Sequence, residues 1–252
     1  MTELIATQNL TKRFGGLTAV DRVNFSVQEG DAAGIIGPNG SGKTTLFNLL
    51  SGYFPPTEGT ITFAGLDVTR IPPHKRVGLG MSRTFQLVSV FSSLDAWENL
   101  VLSCLRFKDH NSSGGGFYFR RSQEREIADE CRLALKSVGL EDKADLPTSR
   151  LSYGDKRKLE LAMALSLRPK LLLLDEPLAG LSDYEIGEVL TLIHRVKEAF
   201  TLVIIEHKIS KIVDLVGRLS VMNEGKIIAE GAPVQVLRDP AVRECYWGKE
   251  EG

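Results

Sequence analysis

Gly37-Pro38-Asn39-Gly40-Ser41-Gly42-Lys43-Thr44 stands between a small apolar stretch, Gly34 to Ile36, and a helical pattern, Thr44 to Leu50. The octet fits G-x-x-x-x-G-K-[ST] in full, in the strand–turn–helix setting that its mechanism needs. Glycines let the backbone wrap closely around phosphates, so that several N–H groups converge on anionic oxygens. The helix N-terminus adds a favourable dipole. In such a loop Lys43 reaches the β- and γ-phosphates, and the Thr44 hydroxyl ligates Mg²⁺. A glycine-rich turn that merely caps a helix is the bland alternative, but it gives no reason for lysine and threonine in register with strand and helix. The motif specifies a nucleoside triphosphate and, alone, no particular ATPase or GTPase.

A second acidic site follows. Leu171-Leu172-Leu173-Leu174-Asp175-Glu176 reads as a buried strand ending in two carboxylates. A parallel strand emerging beside the phosphate loop puts Asp175 near magnesium. Glu176, one residue on, points elsewhere if side chains alternate as in a strand, and is placed to polarise an attacking water as general base. A solvated acidic strand end is the competing reading, weakened by the loop upstream.

Around these motifs the first half reads as short strands. Val23, Phe25 and Val27 fall on one face of Arg22 to Val27, and Thr60 to Phe63 and Met81 to Thr84 are further candidates, separated by Pro72 and Pro73. Asn111 to Gly116 (NSSGGG) has the chemistry of a flexible loop. Ile127, Cys131, Leu135 and Val138 then recur at helical spacing, predicting an amphipathic helix from about Ser122 to Val138. From roughly Leu87 to Leu167 the patterns are helical, without a convincing strand, as expected of a helical lobe inserted into an α/β domain. Strand signals return at Lys170 to Leu174 and Thr201 to Glu206, while Arg218 to Met222 and Lys226 to Glu230 flank the hairpin signature Asn223-Glu224-Gly225. Alternating strands and helices predict a largely parallel sheet with both faces covered.

Composition bounds the rest. A net charge of −1 lacks the basic excess of a dedicated nucleic-acid binder, so no nucleic-acid partner is expected. The longest apolar runs, Leu171 to Leu174 and Leu202 to Ile205, fall far short of the ~20 residues that cross a bilayer. No basic-then-apolar signal pattern opens the chain, so a cytoplasmic location is expected. Cys104, Cys131 and Cys245 lack metal spacing and fit reduced thiols in packing or surface positions.

The phosphate loop, Gln86, Leu151-Ser152-Tyr153-Gly154-Asp155, Asp175-Glu176 and His207 occur in the order of the motifs of ABC ATPases, which the chain resembles over nearly its whole length. The resemblance implies a P-loop nucleotidase (RecA-like) α/β core with a mixed sheet, an N-terminal antiparallel β portion and an inserted α-helical subdomain. The core would comprise 1–86 and 168–252, and the subdomain with its signature motif 87–167. Phe14 looks like the aromatic that stacks on adenine. Val20, Gly37, Asn39, Gly40, Ser41, Gly42, Lys43, Thr44 and Thr45 would complete the nucleotide site. Gln86 would contact Mg²⁺ and the attacking water near the transmembrane partner, and His207 the γ-phosphate, so that Lys43, Gln86, Glu176 and His207 serve catalysis and Thr44, Gln86 and Asp175 the metal. Ser152 and Gly154 would bind ATP held by a second copy or a homologous chain, in a head-to-tail dimer. Phe14 can alternatively be read as core, and Gln86 and His207 as satisfied polar residues. Ser152 with Asp155 also forms a capping-box pattern, compatible with an anion site.

Two positions depart from the family pattern. Asp155 stands where Gln is usual, facing a polyanion unless Lys156, Arg157 or Lys158 offsets it. Ser182, followed by Asp183, stands where the loop after the catalytic glutamate commonly ends in Asp. Within the family, Arg13 to Val20, the Leu-Ser-Tyr-Gly signature, Ala179-Gly180-Leu181, Tyr246-Trp247-Gly248 and a glycine-bearing insertion at Leu105 to Arg121 resemble the G-type ATPase of branched-chain amino-acid importers. That resemblance implies permease subunits, indirectly a substrate-binding protein, and a peripheral position on the inner face of the cell membrane. ATPases of urea or amide uptake, or of lipopolysaccharide extraction, are alternatives. Soluble ABC ATPases of DNA repair or translation usually carry long coiled coils or tandem cassettes, which are not found here.

Overall fold

In a computed structural model, which describes residues 2–84, 89–109 and 117–247, two layers of β-structure are followed by helices that cover the second. Strands β1 (Glu3–Phe14) and β2 (Leu17–Gln28) pair antiparallel before β3 (Ala32–Ile36) and helix α1 (Lys43–Leu50). Then come β4 (Glu58–Phe63), β5 (Leu66–Asp67), α2 (Pro73–Gly78) and β6 (Met81–Arg83). Helices α3 (Ala96–Asp109), α4 (Phe117–Val138) and α5 (Tyr153–Ser166) precede β7 (Leu171–Asp175), α6 (Asp183–Val196) and β8 (Thr201–Ile205). The chain continues through α7 (Ile209–Ile212), β9 (Arg218–Asn223), β10 (Lys226–Gly231), α8 (Pro233–Val236) and α9 (Pro240–Trp247).

The first sheet has the order β2-β1-β4-β5 and the second β10-β9-β3-β8-β7-β6. Neighbours from β6 to β9 run parallel, and β10 returns antiparallel from β9. Glu224 (φ 46) and Gly225 (φ 78) make that return in the left-handed region, as a tight hairpin with right-handed twist requires. β7 and β8 are buried throughout because both faces of their sheet are covered. Leu171, Leu173, Val203 and Ile205 pack with Ile5, Phe25, Phe47 and Phe63 between the sheets. Leu172, Leu174, Leu202 and Ile204 pack with Cys131, Leu159 and Ile193 beneath the helices.

β1 has no counterpart in the alternation read from the sequence. Its ladder with β2 shifts register four times, Asn9 and Arg22 both sit at φ 48, and consecutive Leu4 and Ile5 are both buried. Bulges of this kind erase the period of two. The predicted helix from Ser122 begins earlier, at Phe117, and the loop Asn111 to Gly116 lies outside the described residues. Arg76, 1% exposed, bonds the carbonyls of Leu49 (2.9 Å), Leu50, Val68 (2.6 Å) and Ile71 (2.8 Å). It thereby satisfies the C-terminal carbonyls of α1; burial pulls its guanidinium down to about 10.

Candidate nucleotide site

The phosphate loop leaves β3 in the middle of the large sheet and enters α1. Gly42 takes φ 102, and a Cβ there would stand 2.3 Å from the Ala19 carbonyl oxygen, so position 42 admits only glycine. The β9–β10 turn fastens the loop, with the Gly225 amide donating to the Ser41 carbonyl at 3.0 Å. Lys43 is 4% exposed and donates to the carbonyls of Gly37 (2.8 Å) and Pro38 (2.9 Å). Burial holds its ammonium below the usual lysine value, while Glu176 and Asp175 oppose that shift. Asn39, Gly40 and Thr44 are exposed, Thr45 is half-buried, and Gly37 and Ser41 are buried. The loop thus presents amides, a hydroxyl and a cation from one rigid turn.

Phe14 ends β1 with 43% of its surface exposed, which removes the core reading. Phe54 meets it edge-on at 5.5 Å, and the Lys12 ammonium lies 5.1 Å from its centroid. A partly exposed ring braced in this way can serve as a stacking platform. Val20, by contrast, is fully buried, so its side chain packs the core.

Asp175 closes β7 at 2% exposure. Its Oδ2 accepts from Arg83 Nη2 at 2.7 Å, while Oδ1, also buried, has no partner among the described residues. Burial raises its carboxyl above the usual range, against the pull of Arg83. Strand alternation does not set the direction of Glu176: β7 has ended, and Glu176 sits at φ 48. That conformation is uncommon for a residue with a side chain. Glu176 is 8% exposed, and its Oε1 lies 2.7 Å from His207 Nε2. His207 follows β8, whose last residues flank those of β7. Glu206, overlooked in the sequence, is 2% exposed and accepts from the amides of Leu178 (2.8 Å) and His207 (3.0 Å). Burial raises its carboxyl, and its bonds tie the segment after Glu176 to the one carrying His207.

At the signature, Ser152 caps α5 by accepting from the Asp155 amide at 3.0 Å. This is only half of the capping box suggested by the sequence. The Asp155 carboxylate is engaged by Lys143, and its Oδ1 stands 3.8 Å from Lys158 Nζ. Arg157 instead bonds Glu160 at 2.9 Å, so Lys158 alone of the three expected cations pairs with Asp155, joined by the unforeseen Lys143. The complete capping box lies at Ser182 and Glu185, so Ser182 caps α6. Glu185 also accepts from the Gly154 amide at 2.9 Å, joining the signature to the loop after Glu176. Glu206, Lys143 and Arg83 carried no motif signal, and only the folded chain brings them to the site; Glu185 was open to view in Ser182-x-x-Glu185, a capping-box pattern. Gln86 lies outside the described residues.

The donor set suits Mg²⁺, a hard cation held through one or two carboxylates plus substrate phosphates. The unpartnered Asp175 Oδ1 is a buried oxygen that a cation would satisfy, and the exposed Thr44 hydroxyl is a second oxygen donor. Among the described residues no group of three or more His, Cys, Asp or Glu could hold a metal unaided, so phosphates are needed to complete the shell.

The family model for ABC transporters matches residues 20–179, and that for the branched-chain amino acid ATP-binding cassette transporter matches residues 226–251. Among curated relatives, the high-affinity branched-chain amino acid transport ATP-binding protein BraF of Pseudomonas aeruginosa is 38% identical, with 98% of each chain covered. LivG of Escherichia coli K12, which bears the same description, is 35% identical, again with 98% of each chain covered. Among solved structures, an ATP-binding cassette of an ABC transporter in its ADP conformation superposes with a TM-score of 0.85 at 31% identity, covering 99% of this chain and 100% of that one. With phosphate loop, acidic strand end, histidine and signature helix placed on that shared fold, the chain belongs to the ATP-binding subunits of ABC transporters.

Proposed function

We propose that this subunit hydrolyses MgATP to power an importer of branched-chain amino acids. The observation that carries hydrolysis is the 2.7 Å contact between Glu176 and His207 beside an intact phosphate loop. The cargo rests on the names of the full-length relatives and on the match at residues 226–251.

In this reading Phe14 stacks on adenine, and the loop amides with Lys43 hold the β- and γ-phosphates. Thr44 and Asp175, with Gln86, would hold Mg²⁺, which would supply positive charge against the transferring phosphoryl group. Glu176 takes the proton of the attacking water as the bond from that oxygen to the γ-phosphorus forms and the bond to the leaving ADP oxygen breaks. His207 orients Glu176 and reaches the γ-phosphate. Ser152 and Gly154 complete the site of a second ATPase subunit, so two nucleotides are enclosed between two chains. ATP favours the closed dimer, ADP and phosphate do not, and the difference drives the cycle.

No helix among the described residues is long and apolar enough to cross a membrane. Permease subunits would therefore supply the path, docking on the helical segment 87–167 near Gln86. A substrate-binding protein delivers the amino acid, and the ATPase works from the cytoplasmic face. In vesicles containing the assembled transporter, ATP is expected to drive leucine uptake that Glu176→Gln abolishes. Leucine uptake indifferent to ATP, or ATP-driven uptake of urea but not of leucine, would refute the assignment.

A further inference from the structure

Arg83 belongs to no motif, yet it connects the two elements from which the metal ligands are drawn. It ends β6, lies beside Leu173 of β7 in register, and its side chain is only 7% exposed. Nη2 donates to Asp175 Oδ2 at 2.7 Å. Nη1 donates to Asn48 Oδ1 at 2.7 Å and to Ser51 Oγ at 2.9 Å, and the guanidinium lies 5.6 Å from the Phe47 centroid. Thr44, Asn48 and the C-cap residue Ser51 are spaced i, i+4 and i+7, and so line one side of α1. Arg83 grips the inner part of that side, while Thr44 occupies its open end.

We propose that Arg83 is a positioning residue for the magnesium site: it fixes Asp175 through Oδ2, leaves Oδ1 for the metal, and holds β7 in register with the helix that carries Thr44. The proposal rests on the reading of Thr44 and Asp175 as metal ligands. A planar guanidinium meets an acceptor on each side at once, whereas a lysine ammonium supplies the charge without the fork. A purely structural Arg83 would need only to neutralise buried Asp175, and lysine would then replace it.

The test is ATP binding by a fluorescent analogue, in EDTA and over a magnesium titration, in Arg83→Lys and Asp175→Asn. Arg83→Lys is expected to bind the nucleotide normally in EDTA but to need about 10- to 100-fold more Mg²⁺ for half of the magnesium effect, the range found when residues supporting metal ligands are changed. A parental magnesium midpoint in Arg83→Lys overturns the proposal. If Asp175→Asn also keeps the parental midpoint, the metal reading itself has failed; if only Asp175→Asn shifts, Arg83 alone was misassigned. Should Arg83→Lys not fold, Asn48→Ala combined with Ser51→Ala removes the α1 side of the bridge and leaves the Arg83–Asp175 pair. A raised midpoint in that variant supports the proposal and an unchanged one overturns it.

Discussion

Asp155→Gln removes one negative charge from the first turn of the signature helix and lengthens the side chain by one methylene. The carboxylate is 11% exposed and faces Lys143, itself 41% exposed, and Lys158, which keeps a second partner in Glu188 at 2.9 Å. Because Lys143 is well solvated, its pair is worth no more than about 1 kcal/mol. Lys158 retains Glu188, and the Ser152 cap uses only the amide of residue 155, so neither adds much to the loss. A loss of about 1 kcal/mol lowers the melting temperature of a chain this size by about 2–4 °C. If position 155 faces the partner's triphosphate in the closed dimer, the same change removes a negative charge there and leaves Lys143 without its carboxylate, so ATP-driven dimerisation should strengthen. The gain should shrink as salt rises, since such charges are screened beyond about 8–10 Å. Scanning calorimetry and the ATP-dependent dimer fraction at low and high salt give both quantities. A melting temperature lowered without any gain in dimer would refute a role for Asp155 facing the partner's nucleotide.

Two further substitutions follow from the site. Phe14→Ala should weaken ATP binding by roughly 1–3 kcal/mol, as for other base-stacking aromatics, and an isothermal titration with parental affinity would remove Phe14 from the adenine site. Glu185→Gln keeps a capping-box residue but weakens the hold on the Gly154 amide, so the dimer should form at lower ATP concentration; a dimer requiring more ATP would show that the Glu185 contact organises the signature rather than competing with phosphate.

The nucleotide loop and the acidic strand end were legible because their chemistry is local. Eight contiguous residues make the phosphate loop, and four consecutive leucines mark a strand buried on both faces. The hairpin at Asn223-Glu224-Gly225 was legible for the same reason, Gly225 announcing its positive φ, although Glu224 takes one too. β1 was not, because four register shifts break its alternation. Lys143 beside Asp155 and Arg83 beside Asp175 escaped reading for another reason. Lys143 lies 12 residues from Asp155, and Arg83 lies 92 from Asp175, so only the folded chain brings them together. Glu176 shows a third case: it takes a left-handed backbone that nothing in Leu174-Asp175-Glu176-Pro177 announces.

The central claim is that Glu176 is the general base of an ATP-closed dimer, and Glu176→Gln tests it most directly. Phosphate release should fall by about 100- to 10,000-fold, with ATP affinity unchanged because Lys43 and the loop amides remain. Size-exclusion chromatography should then show a dimer in ATP and a monomer in ADP. Phosphate release near the parental rate, with no dimer accumulating in ATP, would contradict the account.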